Sequence, residues 1–538
     1  MGKRSFLRVC FGLIAAALLF TASVGPVWAA GGDEAARFHP KRYVDVQILG
    51  INDFHGQLNV TQQVEGKPVG RADYLAAHLK RRAAENKNTL IVHAGDMVGA
   101  SAPISALLQD EPTIEFLNRI GVDVGTVGNH EFDEGVEEML RLIRGGSHPD
   151  TGDFAGADFP YVVANVVDKE TQKPILPPYV VKRVKGIPIG FVGVVLTETP
   201  HLVDPSGVDS VRFIDETEAI NRAVKKLKKK GVRAIVVLAH VPGSSDLDGS
   251  AATGEIVEVA EAVDDEVDVI FAAHSHQHMN AVVDDKLLVQ AYSSGTALAD
   301  VDVVIDRRTK DIVRKQAEIV TVWQEGIRPD PEIREMIEYY EEKTAPIIDK
   351  VVGTAAKTLR RTQNESGESE LGNLIADAQR AAMGTNFAFM NPGGIRADIE
   401  QGEVTWGELF TVQPFGNHLV KMRLTGEQIQ RLLNQQWQPS NTLFLQISGL
   451  RYTWDDTRPT GDKVVEIFLP DGTRLDPEET YTVTTNSFLA EGGDNFTVFT
   501  EGTDREVGPA DLDALIDYIR QLPQPFSAEI EGRIQKLR

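Results

Sequence analysis

The stretch Thr126–Gly135, TVGNHEFDEG, decides how this chain is read. A short apolar run, Val122–Val127, leads straight into an amide, an imidazole and two carboxylates within five residues. Such a cluster at the end of a buried strand is either a surface turn or a ligand set. In open α/β sheets, ligands bind just beyond the carboxyl ends of the strands, so the neighbouring apolar runs have to be compared.

From about Tyr43 to Val322 the chain alternates short apolar runs with amphipathic segments. The runs are VDVQILGI, TLIVHA, YVVANV, IGFVGVV, AIVVLAH and VDVIFAAH. The amphipathic segments include Ala72–Asn86 and Glu216–Lys230. This alternation predicts an α/β domain of layered α/β/α type, a β-sandwich flanked by helices, over 43–325. A helix is predicted over 326–350. There Pro329 and Pro331 open the segment, Ile333, Ile337 and Tyr340 recur at helical spacing, and Pro346 interrupts it late. The texture then changes to polar loops, aromatic residues and turn pairs, which predicts a smaller α+β domain over 351–538.

Polar residues follow the apolar runs at equivalent places. They are Asp53 and His55, then Asp96, Asn129 with His130, His240, and finally His274 with His276. In extended chain the D-x-H and H-x-H spacings put both members of a pair on one side. Asp53, His55, Asp96, Asn129, His240, His274 and His276 are seven ligand-type side chains, which suffice for two metal ions if one ligand bridges. Asp96 suits that role because a carboxylate has two oxygens to share. Any one of these residues alone is ordinary loop chemistry; five coincidences in one chain point to a dinuclear site. His, Asp and Asn together suit Zn, Mn, Fe or Co.

The bulk composition sets limits. The chain has 538 residues, a formal net charge of −24 and a pI near 5.0, which argues against a binder of nucleic-acid polymers but permits a local cationic pocket for a small anion. Lys3, Arg4 and Arg8, the apolar run Val9–Ala22 and the small residues of VGPVWAAGG, with cleavage after Ala29, have the form of an export signal over residues 1–29. The single cysteine, Cys10, lies within it, so the mature chain is expected to lack thiols and disulfides. An exported protein, extracellular or periplasmic, without stable membrane insertion is the expectation. Oligomeric state is left open.

The ordered set DFHG, AGD, GNHEFD, LAH and AHSH resembles the calcineurin-like metallophosphoesterases. The later NPGGIR, PFGN and NSFLAEGGDNF resemble the secreted 5′-nucleotidase and cyclic-nucleotide phosphodiesterase group within them. That resemblance implies one metal on Asp53, His55, Asp96 and His276, and a second on Asp96, Asn129, His240 and His274. It implies His130 as the catalytic imidazole, oriented by Asp133; Glu131 between them is read as structural. It places Asn391, Arg396, Phe415, Phe488 and Asp494 around the nucleotide, the two phenylalanines sandwiching the base and Asp494 receiving the ribose hydroxyls. The implied activity is hydrolysis of nucleotides, as a 5′-nucleotidase with or without 2′,3′-cyclic phosphodiesterase action, by a hydroxide generated at two divalent ions. A nucleotide-sugar hydrolase, and a non-catalytic nucleotide-binding surface protein, are the alternatives. A substrate domain that opens on a hinge near Lys350–Thr354 is also expected. One departure stands out: the arginine that several relatives carry before the GN of the second domain's first helix falls here at Gly367 or Glu368. Arg360 and Arg361, a few residues earlier, are the candidates to replace it.

Overall fold

The computed structural model describes residues 27–28, 41–439 and 441–538. The expected leader lies outside these residues except for the backbone of Val27–Trp28, which pairs with Gln316 and Ala317.

Two six-stranded sheets stack face to face. In the first, Tyr43–Ile51, Thr89–His93 and Val124–Gly125 run parallel, with Ala297–Asp306 and Ile312–Thr321 antiparallel beyond them. In the second, Ile187–Val195, Ala234–His240, Val269–Phe271 and Lys286–Ala291 run parallel. Val46, Ile48, Val92, Ile189, Phe191, Val236, Leu238 and Val289 fill the space between the sheets. Burying each such side chain contributes roughly 1.5–3 kcal/mol. A one-residue slip of any strand would exchange its two faces, so this core fixes where each strand ends.

Helices cover the outer faces. Glu216–Lys229 shows why they form where they do. Asp215 caps it by accepting the Glu218 N–H at 2.7 Å. Ala219, Ile220, Ala223, Val224 and Leu227 form its buried stripe. Lys226, Lys228 and Lys229 face the negative end of its dipole. The expected α/β layering is therefore present.

One apolar run behaves differently from its sequence pattern. Most of YVVANV is not a strand; Tyr161 makes a single parallel bridge to Gly125, and Val166–Asp168 pairs with Val211–Phe213. The Val162 N–H bonds to Gly125 O in the first sheet, whereas the Ala164 N–H bonds to Gly193 O in the second. Backbone that serves both sheets cannot join the ladder of either.

The helix Pro331–Ile348 spans 18 residues, capped by Asp330, and runs through Pro346. Ile333, Met336 and Ile337 are buried in the core of the first domain, so the helix is part of that body. The expected hinge segment is a paired strand, Val351–Ala355 against Gly402–Thr405. The connection between helix and strand is confined to Asp349 and Lys350.

The second domain holds a five-stranded mixed sheet in the order Gln446–Ser448, Phe387–Met390, Thr480–Asn486, His418–Thr425, Thr503–Ala510. Helices Glu370–Met383 and Asp511–Gln521 pack on it and on each other. Phe387–Met390 and Thr480–Asn486 are neighbours and parallel, so Asn391 and Phe488 leave the carboxyl ends of adjacent strands.

Candidate active site

The carboxyl ends of five parallel strands, three in one sheet and two in the other, meet on one rim. Asp53, His55, Asp96, Asn129 and His240 are buried there, while His274 and His276 are half-buried. Strand periodicity does not produce the convergence. Asp53, His55, Asp96, His274 and His276 all have positive φ, between 49° and 73°, a conformation uncommon for side-chain-bearing residues. The D-x-H and H-x-H pairs lie beyond their strands, in loops, where period-two reasoning does not apply. The loops hold one another: the Asp53 N–H bonds to Gly95 O, the His55 N–H to Asp96 O, and the His274 N–H to both Asp53 carboxylate oxygens.

Ring tautomers follow from carbonyl partners, which can only accept. His240 Nδ1 donates to Ala94 O at 3.0 Å, so Nε2 of the neutral ring carries a lone pair. That lone pair faces Asn129 Oδ1 at 3.1 Å and Asp96 Oδ2 at 3.1 Å. His55 Nδ1 likewise donates to Gly99 O at 2.8 Å, and its Nε2 faces His276 Nε2 at 3.3 Å and Asp96 Oδ2 at 3.9 Å. Acceptors pointed at acceptors in a buried site are unfavourable unless a cation lies among them. Three such convergences exist among the described residues, Asp53–His55–His276, Asp96–His240–His274 and His55–Asp96–His130, and each draws its ligand atoms within 4.8 Å of one another. The donor set therefore fits divalent cations.

The electrostatics agree. Burial pushes His274 down to about 3 and His276 to about 4, leaving neutral nitrogens. Burial also opposes charge on His240, but the carboxylates of Asp96, Asp53 and Glu131 hold it up to about 9. Positive charge is what this pocket favours. Gly128 keeps the space open: a Cβ there would lie 2.1 Å from Asp96 Oδ1 and 2.6 Å from His240.

His130 stands apart from these groups in its partners. Its N–H bonds to Asp96 Oδ1 at 2.9 Å, and its Nδ1 pairs with Asp133 Oδ2 at 2.8 Å. Burial works against its protonation, but Asp133 and Asp96 outweigh burial and raise its pKa. Its ring nitrogen also lies near His55 and Asp96, so proximity alone does not distinguish it; the Asp133 partner does. Glu131 accepts the N–H groups of Asp96, Met97 and Gly128. It ties the loop that carries Asp96 to the loop that carries Asn129.

A cavity of about 650 Å³ opens beside His130 and is walled by both domains. Phe488, Asn391, Asp494, Arg396 and Phe415 all line it. Asn391 Nδ2 donates to Asp494 Oδ2 at 2.8 Å, and Asn391 Oδ1 accepts from Asn486 at 3.0 Å. Asn391 thus holds Asp494. Asn417 Oδ1 receives Ser487 Oγ and the Phe488 N–H, a positioning role that the PFGN motif alone did not reveal. Gly493 makes room for the Phe488 ring, which would lie 2.5 Å from a Cβ there. Phe415 is not a core residue. Its ring stacks on His130 across the domain boundary, centroids 5.8 Å apart and planes at 17°, with Arg396 5.8 Å from its centroid. This ring contact to His130 was not expected from the sequence, which assigned Phe415 to a sandwich with Phe488.

The missing arginine is also accounted for. Gly367 packs under the Phe444 ring, and buried Glu368 receives Asn373 and the Glu531 N–H, so both are structural. Arg360 turns to Asp398. Arg361 lines the cavity that holds His55, Asp96 and His276, and its charge bears on Arg396.

Comparison with known proteins agrees with this architecture. The calcineurin-like phosphoesterase profile matches residues 46–278, and the 5′-nucleotidase C-terminal domain profile matches 351–501. The crystal structure of a 5′-nucleotidase precursor from Thermus thermophilus superposes with a TM-score of 0.79 at 30% identity, over 92% of this chain and 99% of its own. The chain belongs to the 5′-nucleotidase family of calcineurin-like phosphoesterases. A cell wall protein of Listeria monocytogenes in the same family is 38% identical over 91% of this chain and 69% of its own length. Endonuclease YhcR of Bacillus subtilis is 45% identical over 96% of this chain, which spans 43% of that protein.

Proposed function

We propose that this family member is an exported, metal-dependent phosphohydrolase that releases phosphate from nucleotides. The observation that carries the reading is the convergence of imidazole and carboxylate groups, Asp53–His55–His276 and Asp96–His240–His274, with His274 lining a cavity that has aromatic walls. Asp53, His55, Asp96 and His276 would hold one divalent ion, and Asp96, Asn129, His240 and His274 a second; Zn and Mn both suit the set. Bound there, two such ions supply charge against phosphoryl oxygens and acidify a water.

The chain's own residues would do the rest. Arg396 and Arg361 offer planar donors to phosphoryl oxygens. His130, kept protonated by Asp133, presents its Nε2–H to the leaving oxygen. Phe415 and Phe488 hold the base, and Asp494 accepts the ribose hydroxyls. Residues 351–538 thus act as the substrate-binding domain, on a metallophosphoesterase domain over 43–325. Export is supported by the leader-like first residues and by a relative named as a cell wall protein. No described helix is long and apolar enough to cross a membrane.

The test is phosphate release from AMP, UDP-glucose and, with an added phosphatase, 2′,3′-cyclic AMP. It is run in Mn²⁺ or Zn²⁺ beside Asp96→Ala and His130→Ala. Metal-dependent turnover lost in both variants is expected; turnover unchanged in either removes that residue from the reaction.

A further inference from the structure

The loop 414–417 serves two aromatic residues at once. Phe415 stacks on His130, and Asn417 Oδ1 receives Ser487 Oγ and the Phe488 N–H. A residue outside every motif read in the sequence grips this loop. The Asp511 N–H donates to Asn417 O at 2.8 Å, and Gln413 Nε2 donates to Asp511 Oδ2 at 3.2 Å. Gln413 comes immediately before the loop and Asn417 is its last residue, so Asp511 holds both ends. Gln413 and Asp511 are buried, and neither is among the described residues that line the aromatic cavity.

A buried carboxyl beside a buried amide is unfavourable unless the two are paired. Burial pushes the Asp511 carboxyl up to about 7, and Asp513 pushes the same way. Its Oδ1 accepts the Leu512 N–H at 2.8 Å. Gln413 Oε1 has no partner among the described residues. A half-turn of the amide exchanges its oxygen and its nitrogen, and a protonated Asp511 then donates from Oδ2 to Gln413 Oε1. The pair therefore stays joined whether the carboxyl is ionised or neutral. A buried polar link of this kind selects one arrangement of the segments it joins.

We infer that Asp511 and Gln413 are positioning residues for the nucleotide base. Together they fix the loop 414–417, and with it Phe415 directly and Phe488 through Asn417. The inference rests on the nucleotide reading above and deepens it, by placing two determinants of base binding outside the cavity. Their loss should loosen the base and leave the metal-binding side chains alone, because Asp53, His55, Asp96 and His240 are held by bonds within the first domain.

The experiment measures adenosine and inorganic phosphate binding to the full chain in Mn²⁺ by calorimetry, with AMP turnover beside them. It compares the parent protein with Gln413→Leu, Asp511→Leu and Asp511→Asn. Expected in both leucine variants is ~tenfold weaker adenosine binding, the scale of a lost buried hydrogen-bond partner. KM for AMP should rise with it, while phosphate binding and metal content stay unchanged. Asp511→Asn keeps an acceptor for the Leu512 N–H and a donor for Gln413 Oε1, so it should stay within ~twofold of the parent. An Asp511→Leu chain that fails to fold leaves the decision to Gln413→Leu, which keeps the backbone bond from Asp511 to Asn417. Unchanged adenosine affinity in Gln413→Leu overturns the inference and leaves the nucleotide reading standing. So does an equal loss for adenosine and phosphate, or an Asp511→Asn as weak as Asp511→Leu. A parent protein that neither binds adenosine nor turns over AMP overturns both.

Discussion

His240 Nε2 and Asn129 Oδ1 face each other at 3.1 Å, and because His240 Nδ1 donates its hydrogen to Ala94 O, Nε2 is the nitrogen left to meet a cation, a proton or a metal ion. Asp96 brings a third acceptor to the same point. A cation among them converts repulsion into attraction. Treatment with a chelator is therefore expected to abolish turnover and lower Tm. A ligand present at a hundred times its Kd stabilises by about 2.7 kcal/mol, so the shift should be readable by calorimetry. Metal analysis of His240→Ala and Asp96→Ala extends the test. His240→Ala should lose one ion and Asp96→Ala both; full metal content in either would place the ions elsewhere.

His130 should separate from the ligands by the same measurement. His130→Ala is expected to keep its metal and lose ~10²–10⁴-fold in kcat, the range typical of a lost general acid. Asp133→Asn, which leaves the ring but weakens its hold on Nδ1, should fall by less. A variant His130→Ala that also lost metal would make it a ligand.

How much of this was legible in the sequence depends on the residue. The strand ends were legible because apolar runs and the polar residues after them are local features. The backbone that aims those residues was not. Asp53, His55, His274 and His276 converge through left-handed loops laced to one another, and such lacing joins residues more than two hundred positions apart. Glu131 could be set aside as structural, but its bonds to Asp96, Met97 and Gly128 became visible only when the two loops were side by side. The choice between Arg360 and Arg361 was equally closed to sequence, since it turns on which side chain pairs with Asp398 and which lines the cavity. The stack of Phe415 on His130 crosses the domain boundary, and no local pattern encodes it.

That stack leads to an expectation of its own. Phe415→Ala removes a stacking surface for the base and a neighbour of His130, whereas Phe488→Ala removes only the former. Stacking on an aromatic side chain is worth about 1–3 kcal/mol per base and tolerates base identity. Phe488→Ala should therefore raise KM by ~tenfold for AMP and UMP alike and leave kcat nearly unchanged, while Phe415→Ala should change both constants. Equal kcat effects in the two variants would deny Phe415 any link to His130.

Asp494 joins binding to stability with opposite signs. Burial pushes its carboxyl up to about 6, with the Asn391 hydrogen bond pulling the other way. The ionised form is the one that accepts ribose hydroxyls, so KM should rise as pH falls through about 6. A nucleotide lacking the ribose hydroxyls should show a weaker trend. For folding, a carboxyl whose folded pKa is raised stays protonated in the native state while the unfolded chain has already ionised. Stability therefore falls as pH rises from the ordinary carboxylate range to about 6 and stays lowered above it. Asp494→Asn, which keeps the shape and cannot ionise, should raise Tm at neutral pH, raise KM for ribonucleotides and flatten the pH dependence of both. A lower Tm at neutral pH in that variant, matched by a lower Tm in Asn391→Ala, would show that the Asp494 carboxylate holds the loop together and does not strain it.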